Sequence, residues 1–189
     1  MWDNFVEATK DKPPRQILTD ALKYVDKPGK ALDIGAGALN ESRYLLAHGF
    51  QVTAIDGEPA FARVAASIKN KDFQFEQISY ESYKFPKNRY DLVVASYSLP
   101  FTSSSHFERV VRDVLSAVKP GAVFAGHLFG KNDEWNNGDG RANFITPEQL
   151  DNFLAGFEKL SIREEEGEQG ADTGGSKYWH IFHIIARKK

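Results

Sequence analysis

The stretch that decides the fold is Ala31-Leu32-Asp33-Ile34-Gly35-Ala36-Gly37-Ala38-Leu39-Asn40-Glu41-Ser42-Arg43-Tyr44-Leu45-Leu46-Ala47-His48-Gly49. Leu32 and Ile34 suit a buried strand, and Asp33 lies between them. Gly35 and Gly37 let the chain turn tightly and let a ligand approach the backbone. Asn40 is a candidate N-cap for the following helix, and Gly49 stands where a terminating glycine belongs. A strand, loop and helix in that order place backbone N–H groups and the Asp33 carboxylate at a strand's C-terminal end. In open α/β sheets, ligands bind at that edge.

Gln51-Val52-Thr53-Ala54-Ile55-Asp56 reads as a second strand closed by an acid. Asp56 falls about twenty residues beyond the glycines, the spacing at which an acid accepts hydrogen bonds from a ribose. A nucleoside-containing cofactor is the expectation. A dinucleotide fingerprint would place its third glycine where Asn40 stands. A pyrophosphate beside Asp33 would also bring two anions together. A cofactor with a cationic end suits that carboxylate better, and S-adenosylmethionine has one in its amino group and sulfonium. A nicotinamide-dependent oxidoreductase stays open as the alternative, as does a cofactor-binding module without turnover.

Further along, Phe61, Val64, Ala65 and Ile68 follow helical spacing behind Pro59, and Phe73 to Ile78 alternates as an edge strand would. Tyr90 to Ala95 is nearly all apolar, as in a parallel strand buried on both faces. Ser105-His106-Phe107-Glu108 has the pattern of a capping box, followed by a long apolar stripe from Phe107 to Val118. Ala122 to Phe129 predicts a fifth strand. Thr146-Pro147-Glu148-Gln149 is a second capping box, with its helix carried on by Leu150, Phe153, Leu154 and Phe157. Lys159 to Arg163 and Tyr178 to Arg187 predict two strands with no room for a crossover helix, so they must pair antiparallel. The last is apolar throughout, which places it inside the sheet. The glycine-rich Gly167 to Lys177 between them predicts a mobile loop, with Glu164-Glu165-Glu166 as a solvated strand end.

Ala31 to Gly37 with Asp56 resembles the first two motifs of the class I S-adenosylmethionine-dependent methyltransferases. Tyr90 to Ser96 resembles their fourth, and Lys119 to Phe124 the helix-to-strand passage after it. Trp2, Pro13-Pro14-Arg15, Ser98-Leu99-Pro100-Phe101, His127-Leu128-Phe129-Gly130 and Trp179-His180-Ile181-Phe182-His183 are similar to the small bacterial type related to tellurite-resistance methyltransferases. The resemblance implies an α/β Rossmann-like fold: a seven-stranded, mostly parallel sheet with an antiparallel last strand and helices on both faces. It implies methyl transfer to a small-molecule acceptor, with the donor held by Asp33, Gly35, Ala36, Gly37, Asp56, Gly57, Ser79, Tyr80 and Ser96. Arg15 could meet the methionine carboxylate as a guanidinium fork. Candidate acceptor-pocket walls are Tyr97, Phe101, His127, Trp135 and Arg141. Two positions depart from the pattern. Leu39 replaces a glycine, so its side chain would narrow the approach to the methionine end. Ser79 replaces an acid and is a weaker acceptor for the adenine amino group.

The 189 residues read as a single domain, with 1–14 as a possible lid. A net charge of −2 with interspersed signs leaves no footprint for duplex nucleic acid. No apolar run reaches the ~18 residues of a membrane span. There is no cysteine, which suits a reducing compartment, so the cytoplasm is the expected location. His180 and His183 are three apart on a strand and point to opposite faces, so no metal site is expected from them.

Overall fold

The computed structural model describes residues 2–170 and 175–189. The chain opens with helix α1 (Trp2–Thr9) and helix α2 (Gln16–Ala21), the latter tightening into a 3-10 turn at Leu22–Tyr24. Strand β1 (Lys30–Ile34), helix α3 (Asn40–Ala47), strand β2 (Gln51–Asp56), helix α4 (Pro59–Ala65) and strand β3 (Phe73–Gln77) follow. Next come β4 (Tyr90–Ala95), α5 (Phe107–Ala117), β5 (Val118–Gly130), β6 (Phe144–Ile145), α6 (Pro147–Phe153), β7 (Phe157–Gly170) and β8 (Ser176–Lys188).

The sheet runs β3-β2-β1-β4-β5-β8-β7, and the two-residue β6 pairs with the end of β5. The seven expected strands are therefore present, with one short strand in addition. The first five in this order are parallel, while β8 runs antiparallel between β5 and β7. Strand order reverses between β1 and β4, which makes the C-terminal ends of those two strands the edge where a ligand crevice opens.

Strand alternation sends two apolar sets to opposite faces. Ala31, Val52, Leu92, Val94, Ala125 and Ile185 pack with Ile17, Leu18 and Ala21 of α2 and Leu45 of α3. Leu32, Ile34, Val93, Phe124, Phe182 and Ile184 pack with Val110, Val111 and Val114 of α5 and Leu150 of α6. Among the described residues, no helix is long and apolar enough to cross a membrane.

Several local expectations are corrected. Leu39, not Asn40, caps α3, in a left-handed conformation with φ 65°. The Asn40 amide instead donates to the Thr9 carbonyl at 2.7 Å and ties α3 to the end of α1. The Ser105 capping box does not form: His106 is the N-cap of α5, without a side-chain cap bond. The Ser103 hydroxyl meets the His106 ring at 2.9 Å and the Glu81 carboxylate at 3.1 Å, a local alternative to a helix cap. The box at Thr146 and Gln149 does form. Phe157 opens β7 and does not extend α6. The acidic triplet and most of the glycine-rich stretch lie within the ladder, since β7 reaches Gly170 and β8 begins at Ser176. Residues 171–174 of the expected mobile loop, and Met1, lie outside the described residues.

Candidate functional site

The switch point is acidic. Asp33 ends β1 at 2 % exposure and Asp56 ends β2 at 8 %, with Glu41 at the start of α3 buried beside them. The Ser42 hydroxyl donates to Asp33 at 2.6 Å. Burial raises the Asp33 carboxyl to about 8, and the Glu41 and Asp56 charges add to that; the Ser42 bond opposes it. Burial also raises Asp56, against backbone N–H bonds from Glu58 and Gly37. Those bonds measure 3.0 Å each, to the two separate oxygens. Each oxygen keeps a lone pair for a further donor, such as a ribose hydroxyl.

The glycine loop is not a row of free donors. The N–H groups of Gly35 and Ala36 both bond the Ile55 carbonyl, at 2.9 and 3.1 Å, and that of Gly37 bonds Asp56. A pyrophosphate would find these three already engaged. Gly35 has φ +64°, and a Cβ there would stand 2.4 Å from the Ser98 Cβ, so the loop closes tightly on the β4 end. The Leu39 side chain does not narrow the approach to the methionine end. It is fully buried in a cluster with Ala36, Ala54 and Ala65.

Gly57 lies against Ser79, whose Cα would be 3.5 Å from an added Cβ. The Ser79 hydroxyl accepts the Glu81 N–H at 3.1 Å and retains its own proton to donate. The Tyr80 hydroxyl donates to the Ser98 carbonyl at 3.1 Å, linking the chain after β3 to the chain after β4. Burial pushes that phenol above its usual range. The expected cofactor residues of β1, β2 and β4 thus share one edge of the sheet.

The other side of the crevice is aromatic. Tyr97 follows β4 with φ 52°, and its ring stacks on His127 of β5 at 3.9 Å. His127 in turn meets the His183 ring edge-on at 4.9 Å. Burial drives both histidines below their ordinary value, His183 to about 4, so both are neutral near pH 7. The Arg15 guanidinium lies 5.1 Å over the Tyr97 ring, while its backbone N–H donates to Glu41 at 2.9 Å. Arg15 therefore stands at the boundary between the acidic and aromatic halves. Phe101 packs edge-on to Phe129 at 5.8 Å and lies 6.2 Å from Trp135. Arg141 pairs with Asp139 at the rim, its guanidinium 5.5 Å over Trp135.

Sequence reasoning missed two pairs of residues. Glu41 and Ser42 directly follow the glycine loop, and their proximity to Asp33 was available as a signal. Lys177 and Asp133 form a buried ion pair between chain segments far apart in sequence, which nothing local announces. Lys177 Nζ lies 3.9 Å from the centroids of both Trp135 and Trp179.

As expected, His180 and His183 occupy opposite faces. Glu164, Glu166 and His180 bring ligand-type atoms within 4.8 Å of one another. His180 Nδ1 accepts the Asn132 N–H at 3.1 Å and Nε2 faces Glu164 at 2.8 Å. Both ring nitrogens are engaged in a hydrogen-bond network that docks the ribbon of β7 and β8 on the loop after β5.

Residues 31–121 match the family profile described as a methyltransferase domain. Over that stretch, just under half of its length, the chain is similar to methyltransferase domains. Solved structures share its fold. TehB from Haemophilus influenzae superposes with a TM-score of 0.80 at 18% identity, over 99% of this chain and 66% of that one. The 1,6-didemethyltoxoflavin-N1-methyltransferase of Burkholderia thailandensis gives 0.69 at 19% identity, over 93% and 77%. A SAM-dependent methyltransferase from Methanosarcina mazei gives 0.68 at 22% identity, over 94% and 99%. No curated protein sequence matches this chain.

Proposed function

We propose that this domain methylates a small-molecule acceptor, gripping the donor on Asp33, Gly35, Ala36, Gly37, Asp56, Gly57, Ser79, Tyr80 and Ser96. The acceptor meets Tyr97, Phe101, His127, Trp135 and Arg141. One observation carries the reading: Asp33 and Asp56 stand at the ends of adjacent strands with Glu41 of α3 beside them, three buried carboxylates in one neighbourhood. Such a cluster stores unfavourable charge that a cationic ligand relieves. S-adenosylmethionine, when bound, supplies a methyl group on a positively charged sulfur.

The chain's own residues hold and orient. Asp33 and Glu41 face the ammonium and sulfonium charges. Asp56 takes the ribose hydroxyls, and Ser79 and Tyr80 flank the adenine. Alignment of this kind can lower a barrier by about 7–11 kcal/mol without a catalytic acid or base. The segment 1–14 acts as a lid, because α1 ends directly over the glycine loop through the Asn40 bond to Thr9. The whole chain then works as one domain, and the absence of cysteine fits action in the cytoplasm. The nicotinamide alternative is disfavoured by the engaged Gly35, Ala36 and Gly37 N–H groups, which leave a pyrophosphate without those donors.

Calorimetric titration tests the reading. S-adenosylmethionine and S-adenosylhomocysteine should both bind with micromolar affinity, and NADH should give no saturable heat. Failure of both sulfur nucleosides to bind at millimolar concentration would remove the reading.

A further inference from the structure

The aromatic side of the crevice carries more information than a generic pocket. Phe101 is 46 % exposed, one of only two large hydrophobic side chains so exposed among the described residues. Yet it borders on two other rings, Phe129 and Trp135. Trp135 is held rigidly. The Asp133 carboxylate, itself buried, accepts its N–H at 3.0 Å, accepts the His180 N–H at 3.1 Å and binds Lys177. Lys177 then fills the angle between Trp135 and Trp179, whose centroids are 5.4 Å apart.

Tyr97 adds a second observation. A bulky residue at φ 52° is a backbone outlier, and such strain persists where surrounding structure enforces it. Here it turns the phenol ring flat onto His127 at the crevice edge. A third observation concerns polar atoms. Ser96 Oγ, Ser98 Oγ and His127 Nδ1 are buried without any hydrogen-bond partner. Buried polar groups are normally satisfied, so three orphans on the ends of β4 and β5 point to a ligand edge.

We infer that the methyl acceptor is a flat aromatic or heteroaromatic ring that stacks on Phe101 between Tyr97 and Trp135 and turns its hydrogen-bonding edge to Ser98 and His127. This rests on the methyl-transfer reading above. A simple alkylammonium is the wrong ligand, because this chain's own cations already cover the neighbouring ring faces. Lys177 lies on Trp135 and Trp179, Arg141 on Trp135, and Arg15 on Tyr97. In the reaction, a lone pair on a ring nitrogen or an attached oxygen forms the new bond to the methyl carbon. The carbon–sulfur bond breaks with its electron pair passing to sulfur, leaving S-adenosylhomocysteine. Where that nitrogen or oxygen carries a proton, the proton passes to solvent; a pyridine-type nitrogen has none to lose.

The test uses the full chain saturated with S-adenosylhomocysteine, with tryptophan fluorescence and ligand-observed NMR as readouts. Quinoline, indole and lumichrome are the flat probes; cyclohexylamine and tetramethylammonium are the controls. At least one flat probe should bind and quench tryptophan emission, and the controls should not bind. Phe101→Ala should weaken that binding by about tenfold with S-adenosylhomocysteine affinity unchanged, and Phe101→Trp should restore it. Equal binding of the controls, or an unaltered Phe101→Ala, overturns the inference. So does the failure of every flat probe on a protein that binds S-adenosylhomocysteine. If S-adenosylhomocysteine itself does not bind, the underlying reading falls and this one falls with it.

Discussion

The two walls of the crevice bury charge in opposite ways. On the side of β1 and β2, Asp33, Glu41 and Asp56 share one neighbourhood, and burial raises Asp33 to about 8. On the side of β5 and β8, Lys177 and Asp133 are as deeply buried but neutralise each other. The first arrangement gathers like charges, which a cation relieves. The second is complete and serves to hold tryptophans in place. Burial alone therefore does not mark a binding group; the balance of charge does.

The sharpest break in that contrast comes from undoing the completed pair. Asp133→Asn leaves a buried lysine without its counterion and should cost about 3–5 kcal/mol of stability in denaturant unfolding. Lys177→Met strands the buried Asp133 carboxylate in turn and should cost a comparable amount, eased by the two backbone N–H groups that Asp133 still accepts. On the acidic side, Asp33→Asn should have the reverse character. It should leave the free protein as stable or more so, yet weaken S-adenosylmethionine binding by about a hundredfold or more in calorimetry.

Leu39→Gly weighs two effects on the same wall. Releasing the left-handed backbone gains about 1–2 kcal/mol, while deleting a fully buried leucine costs about 2–5 kcal/mol. The side-chain loss wins, so thermal unfolding should occur at lower temperature. The pH response follows from Asp33. Its carboxyl titrates near 8 in the free protein, and a bound cation favours the ionised form. Binding thus releases a proton between the bound and free values, and affinity should rise up to about tenfold per pH unit from 6 towards 8. Titration at pH 7 in two buffers of different ionisation enthalpy measures that proton. The same shift has the opposite sign for folding. The unfolded carboxyl ionises near 3.9, so stability should fall as pH climbs from about 4 to 8. The smallest effect is expected away from both walls, where Thr146→Ala removes a formed capping box and should cost about 1 kcal/mol.

Much of this was legible in the residues. Asp33, the glycines and Asp56 were legible as the ends of β1 and β2 and the turn between β1 and α3, because strand-end acids and turn glycines act through local geometry. The interior position of β8 followed from its continuous apolar run. The cap of α5 was misread because Ser103 found Glu81 and His106 as partners, a choice set by tertiary neighbours. Leu39 was misread because the direction of a side chain depends on φ, and a left-handed φ turned it into the core. The Asp133–Lys177 pair was invisible, since only the folded ribbon brings those segments together.

The insertion of β8 between β5 and β7 also bears on how the chain is made. Until residues 176–188 leave the ribosome, β5 offers Val123–Phe129 as an unpaired apolar edge, open to pairing with any other strand nearby. Nascent copies are thus most at risk of sticking together until β8 emerges, and a stall just before it would be more harmful than one earlier in the message.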